Sequence, residues 1–302
     1  MEAGTATTRT AARARVRTVV ADYFDMMKPR VQSLLLFTTI TTMYVAGSPS
    51  IGLILATCLG GYLSAGGAGA VNHWYDRDLD AGMARTANRP VPSGRVSPRA
   101  ALTFGITLGI AAFALMSLTV NLLAAVLSLC GLLGYVFVYT IWLKRRHPQN
   151  IVIGGAAGAV PVLVGWAAVQ NQLGWAPVLL FAIIFAWTPP HFWALAIKYR
   201  DEYASVDVPM MPVTASHASV SRQITLYTVA LWAISLVFAP VAHMGVIYIV
   251  AATLLGAAFL WYSVALQRDG STVRAMRLFH YSITYVTLLF AAMPVDQLIR
   301  GH

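Results

Sequence analysis

The sequence predicts an all-α protein, a polytopic membrane bundle of nine transmembrane helices with a cytoplasmic N-terminus. Three observations predict it. Of 302 residues, 58% are hydrophobic and only 11% charged, a balance that cannot cover a water-facing surface of this size. The charges are also segregated, leaving uncharged runs at 31–75, 100–143, 147–197, 223–267 and 278–295. At roughly 20 apolar residues per crossing, the first four runs hold two helices each and the last holds one. Finally, of the 21 Lys and Arg, all but Arg300 lie before the first span or in loops that follow even-numbered spans. The positive-inside rule puts all of those segments in the cytoplasm, and eight or ten spans would spoil the sorting.

The net charge of +10 therefore does not call for nucleic acid. A basic cytoplasmic rim suits anionic lipid headgroups and draws an anionic substrate to the same side. Cys58 and Cys130 fall inside predicted helices, with neither metal spacing nor a disulfide framework.

In chain order, residues 1–22 are expected as a disordered basic tail and 23–302 as the membrane domain. The tail is Arg-rich and acid-poor, as mitochondrial transit peptides are, but the arginines of a cytoplasmic N-terminus account for it. That reading places the chain in the inner (plasma) membrane of a bacterium rather than the mitochondrial inner membrane. Residues 22–30 form a short interfacial helix before the first span (31–47). The second span (51–71) ends in Gly-Gly-Tyr-Leu-Ser-Ala-Gly-Gly-Ala-Gly-Ala, where small residues let neighbouring helices approach. Arg89-Pro90-Val91-Pro92-Ser93-Gly94 is turn chemistry, and Ser97-Pro98 starts the third span (98–119). The fourth (121–143) ends in aromatics and then Lys144, Arg145 and Arg146. The fifth (151–169) opens on another small-residue face, and Gly66–Ala70 with Gly154–Ala159 are expected to leave a wide cavity for a flat acceptor. Pro189-Pro190 should break or kink the sixth (174–197). The last three (223–242, 245–266, 278–296) carry few polar groups and read as framework.

Residues 71–99 concentrate charge in a charge-poor chain. Asn72, Asp76 and Asp80 recur every four residues, a step that drifts only about 40° on a helix, so they share one face while Asp78 points elsewhere. Two carboxylates and an amide oxygen are hard ligands of the kind Mg²⁺ accepts while keeping waters for substrate phosphates. Arg77, Arg85 and Arg89 follow, and guanidinium groups match phosphate oxygens in forked geometry. A solvated, salt-bridged loop is the plainer alternative.

After the sixth span Asp201, Glu202 and Asp207, with Tyr203 among them, form a second acidic cluster that echoes the first and ends at a proline pair. With even-to-odd loops on one face, both clusters meet over one mouth. Asp207 lies about 600° round from Asp201 and about 500° from Glu202, so this half must bend or use fewer ligands. Lys144 and Arg145 reach the same mouth. Together the features suit a prenyl diphosphate, headgroup at the surface and chain among the helices, with Trp74, Tyr75, Tyr139, Trp142, Phe192 and Trp193 near enough to shelter an allylic cation. His191 and His73 sit at the mouth, where a haem iron or propionate could meet them.

The run Asn72-His73-Trp74-Tyr75-Asp76-Arg77-Asp78-Leu79-Asp80 resembles the first motif, N-x-x-x-D-x-x-x-D, of the UbiA-type intramembrane prenyltransferases. Met-Ala-Arg-Thr-Ala-Asn-Arg-Pro, Leu-Lys-Arg-Arg-His-Pro-Gln-Asn and above all Trp-Thr-Pro-Pro-His-Phe-Trp are similar to the haem-farnesylating branch of that family, over about residues 26–215. The resemblance implies a nine-helix bundle, Mg²⁺ as cofactor, and farnesyl diphosphate and haem B as substrates, giving haem O and diphosphate. It also implies haem A synthase as a partner protein. The family's second motif, D-x-x-x-D, is not met, since Ser205 stands four after Asp201, and the branch's acid-Tyr pair falls on Glu202-Tyr203. Rival readings are a prenyltransferase acting on a quinone or chlorophyll precursor and a secondary transporter. Against the transporter, the acidic residues other than Asp296 lie outside the spans.

Overall fold

A computed structural model describes residues 18–300, and among them there is no strand. The chain runs α1 (18–26), α2 (Pro29–Ala46), α3 (Ile51–Tyr75), α4 (Arg77–Gly82), α5 (Pro98–Thr119), α6 (Leu122–Leu143), α7 (Asn150–Gln170), α8 (Trp175–Lys198), α9 (Arg200–Ala204), α10 (Met211–Thr214), α11 (His217–Val241), α12 (Val246–Asp269) and α13 (Thr272–Arg300). Caps follow local chemistry: Ser50, Ser97, Asn121 and Ser216 each accept an amide of the first turn they precede.

Eight of these helices, α3, α5, α6, α7, α8, α11, α12 and α13, are long and apolar enough to cross a membrane. The expected nine include α2, which is 18 residues long and carries four threonines, an arginine and a glutamine. Large apolar side chains such as Ile110, Leu118, Leu254 and Trp261 stand exposed on the helices' outer faces, as a lipid-facing surface requires. The chain is a multi-pass membrane protein.

Three expectations need correction. Residues 18–22 belong to α1 rather than to a tail, because Asp22 is buried and accepts from Arg95 Nε at 2.9 Å; residues 1–17 lie outside the described range. Of the break or kink expected at Pro189-Pro190, the break does not occur, since α8 continues to Lys198; the prolines are buried between packed helices, where neighbours can hold a helix that has lost two amides. The glycines of the Gly66–Ala70 and Gly154–Ala159 stretches are mostly in close contact rather than lining a wide cavity, Gly158 being the one that faces open space. A Cβ on Gly67 would lie 2.7 Å from Gly105 O, one on Gly66 2.7 Å from Met27, and one on Gly155 2.7 Å from Thr188. Those glycines are spent on close helix contact, chiefly of α3 with α5, which the absence of hydrophobic drive in lipid favours.

Helices α11 and α13 begin about six residues before their apolar cores, since hydropathy reports only the part that avoids water. Asp296 is buried near the end of α13 and accepts from the amides of Gly245, Ile247 and Tyr248, capping α12 from another helix.

Candidate active site

Helix α3 passes into α4 with little interruption. Asp76 N bonds Asn72 O at 2.9 Å and Asp80 N bonds Asp76 O at 2.8 Å, so the four-residue spacing holds through the junction. Asn72, Asp76 and Asp80 are all buried on one side, whereas the Asp78 side chain is 61% exposed.

Cations close around the buried pair. Lys144 Nζ meets Asp76 Oδ2, Arg145 Nη2 lies 3.5 Å from Asp76 Oδ1, and Arg89 Nη1 is 2.7 Å from Asp80 Oδ2. Arg145 also forks onto both Asp78 oxygens at 2.7 Å, which pulls that carboxyl down to about 2. Asn72 Nδ2 donates to Asp76 Oδ2 at 2.5 Å and to Thr140 Oγ1 at 3.3 Å.

Lys28, which composition marks only as a flanking charge, is at the centre. Its Nζ donates to Asn72 Oδ1 at 2.6 Å and to Tyr135 OH at 3.2 Å. Its backbone, at φ 56°, is left-handed, as the turn between α1 and α2 demands. Removal from water and the nearby Arg89 bring the ammonium down to about 8, with Asp76 and Asp80 pulling the other way.

The second half of α6 supplies the opposing wall. From Gly134 to Leu143 it is wound wider than an α-helix, with Lys144 N bonded to Tyr139 O five residues back. Regular α winding would set Lys144 about 180° from Tyr135. The wider winding lets Thr140 reach Asn72, Lys144 reach Asp76 and Tyr135 reach Lys28 from one helix, and the Tyr135 and Tyr139 rings stand 5.3 Å apart beside them. Such stretches are rare and concentrate at functional sites.

Tyr139 is pressed against α7, where a Cβ on Gly154 would fall 2.3 Å from its ring, while Gly158 on the same helix faces open space. Gly154→Ala should therefore displace Tyr139 at a cost of about 1–3 kcal/mol and lower turnover, and Gly158→Ala should do neither. Thermal unfolding and turnover of the two purified variants check this.

The second acidic loop touches the first through Arg85: its backbone N lies 3.4 Å from Glu202 Oε2 and its Nη2 3.5 Å from Tyr203 OH, whose phenol burial pushes up. Val206 packs against Gly82 across the same seam. Asp201 and Asp207 are exposed, and no three His, Cys, Asp or Glu side chains gather as a metal group among the described residues. The reason is local: α9 is only five residues long, and Asp207 sits in a left-handed turn beyond it, so the three acids diverge.

Trp193, expected at the substrate, is fully buried at the framework, edge-on to Tyr227 at 5.7 Å. Arg77 is turned away onto Trp74 O. Trp142 and Phe192 are exposed, Tyr75 lies under the Arg145 guanidinium at 4.7 Å, and His73 is buried with Nδ1 unpartnered.

Two carboxylate oxygens, Asp76 Oδ1 and Asp80 Oδ1, are sealed from water and accept no hydrogen bond. Buried acceptors without a hydrogen bond are costly, even with Arg145 3.5 Å from Asp76 Oδ1, and on hard oxygen ligands beside the Asn72 amide they fit a divalent cation such as Mg²⁺.

The chain is similar to proteins named protoheme IX farnesyltransferase: 51% identical over 295 residues to that of Streptomyces avermitilis, covering 95% of both chains, and 50% identical over 285 residues to that of Leifsonia xyli subsp. xyli, covering 93% of both. Among solved structures it superposes on digeranylgeranylglyceryl phosphate synthase with a TM-score of 0.78 at 16% identity, covering 93% of this chain and 99% of that one. A UbiA homolog from Archaeoglobus fulgidus bound to DMAPP and Mg²⁺ matches with a TM-score of 0.69 at 16% identity, over 91% of this chain and 99% of the other. Those likenesses establish a shared fold. With residues 35–288 matching the model of the UbiA prenyltransferase family and half the sequence shared with its haem-directed relatives, this chain belongs to the UbiA prenyltransferase family.

Proposed function

We propose that this chain transfers the farnesyl group of farnesyl diphosphate to a vinyl group of haem B, with water supplying a hydroxyl, to give haem O and diphosphate. The observation that carries it is the buried Asp76–Asp80 pair, each with one oxygen that accepts no hydrogen bond, ringed by Lys28, Arg89, Lys144 and Arg145 at the end of an apolar bundle. Relatives about 50% identical over nearly the whole chain bear the farnesyltransferase name, which supports haem over a quinone precursor as acceptor.

Asn72, Asp76 and Asp80 would hold Mg²⁺, which when bound neutralises negative charge on the leaving diphosphate. Lys144, Arg145, Arg89 and Arg85 lie where they can bind phosphate oxygens as the allylic C–O bond breaks. Glu202 and Tyr203 position Arg85 rather than complete a second metal site. The faces of Tyr135 and Tyr139 shield the allylic cation from water until its carbon bonds the terminal vinyl carbon. Water then adds to the other vinyl carbon and a proton is released, which balances haem B, farnesyl diphosphate and water against haem O and diphosphate.

Purified protein with Mg²⁺, farnesyl diphosphate and haem B should yield a haem heavier by one farnesyl group plus the elements of water, read by mass spectrometry of the extracted porphyrin. Unmodified haem beside prenylated 4-hydroxybenzoate would transfer the reading to the quinone-precursor branch.

We place the chain in a bacterial plasma membrane, crossing it nine times with α2 as the first span and haem A synthase as a partner. A reporter fused after Arg300 should then read out on the periplasmic side and one inserted within residues 82–95 in the cytoplasm. Both on one side would overturn the nine-span arrangement.

A further inference from the structure

The Trp-Thr-Pro-Pro-His-Phe-Trp segment of α8 carries a histidine that the diphosphate site does not use. His191 is clamped on both faces: Trp187 stacks on it at 4.3 Å and 20°, and Phe279 of α13 at 4.6 Å and 27°. Phe192 meets it edge-on at 5.1 Å, and its Nδ1 lies 2.7 Å from Ser282 Oγ. The clamp is itself anchored, because Trp187 Nε1 donates to Ser282 O at 2.7 Å and ties α8 to α13 at this level.

The Ser282 hydroxyl decides which ring nitrogen bears the hydrogen. Its Oγ is 2.6 Å from Phe279 O, and a backbone carbonyl can only accept, so the single hydroxyl hydrogen of Ser282 points there. Ser282 must then accept from His191, which puts the ring hydrogen on Nδ1 and leaves the in-plane lone pair on Nε2. Nε2 has no hydrogen-bond partner among the described residues, yet it is not one of the sealed, unpartnered buried atoms, and His191 is only half-buried. Nε2 is therefore the ring atom left without a protein partner among the described residues.

A neutral imidazole whose Nδ1–H is held and whose Nε2 is free has the arrangement of metal-bound histidines. A general base would need somewhere to pass the proton. The hydrogen-bond chain ends at the Phe279 carbonyl, which provides no exit. We propose that His191 Nε2 is the axial ligand of the acceptor's iron, an iron porphyrin seated against α8 and α13. This rests on the reading that the acceptor is a haem.

The test uses the full chain, purified in detergent, titrated in parallel with ferric haem B and with metal-free protoporphyrin IX. The parent protein should give the Soret and electron paramagnetic resonance signature of histidine-ligated haem. His191→Ala should lose that signature and bind haem about tenfold or more weakly, with metal-free porphyrin binding unchanged, and added imidazole should restore the spectrum. An unchanged haem spectrum in His191→Ala, or equal weakening toward both porphyrins, overturns the ligand while leaving haem as acceptor. A parent protein that binds no haem overturns the acceptor reading as well. Ser282→Ala, which removes the Nδ1 acceptor, should keep the ligation but shift the spectrum.

Discussion

Asp76→Asn and Asp80→Asn should each lower farnesyl transfer about 10³-fold, since losing one anionic ligand to the cation that steadies the leaving diphosphate is worth several kcal/mol and each 1.36 kcal/mol is a factor of ten. Both substitutions keep the side-chain volume and remain buried. Each leaves a cation, Lys144 or Arg89, without its carboxylate and so costs some stability, and circular dichroism and thermal unfolding in detergent separate that loss from the loss of turnover. Asp78→Asn removes only the exposed fork to Arg145 and should cost no more than a few-fold. Single-turnover assays across a Mg²⁺ titration separate the three. Equal losses at all three positions would mean that the shared face of Asn72, Asp76 and Asp80 does not define the metal site.

Lys144→Met should destabilise the folded protein by about 3–5 kcal/mol, the cost of leaving a buried carboxylate without its partner. Arg145, at 3.5 Å from Asp76, offsets part of it, so the lower end is expected. The double variant Asp76→Asn with Lys144→Met removes both charges and should recover most of the lost stability while remaining inactive. Denaturant or thermal unfolding of the four proteins in one detergent gives the coupling directly. A double variant no more stable than Lys144→Met would show that Lys144 balances some other charge.

The sequence by itself determined the all-α membrane class, eight long apolar helices and the shared face of Asn72, Asp76 and Asp80. These are local properties. Apolar length reports a crossing, and a four-residue spacing reports a shared helix face, so Asn72, Asp76 and Asp80 could be read together and Asp78 set apart. The contact between the two acidic loops was also legible, because an even number of spans separates them.

Only the tertiary structure decided how that half-site is completed. Lys28 reaches Asn72 across 44 positions in the chain and Lys144 reaches Asp76 across 68, and no local pattern encodes such pairings. Thr140 and Tyr135 join Lys144 at the site through wide winding of α6, which no α-helical period anticipates. Trp193 and the small-residue stretches read as substrate walls, yet Trp193, Gly66, Gly67 and Gly155 are packed against neighbouring helices, because in lipid apolar and small side chains serve helix contact and cavity lining with the same composition. The second acidic cluster diverges where α9 ends after five residues, a consequence of where the chain must turn back to α10 rather than of the acids themselves.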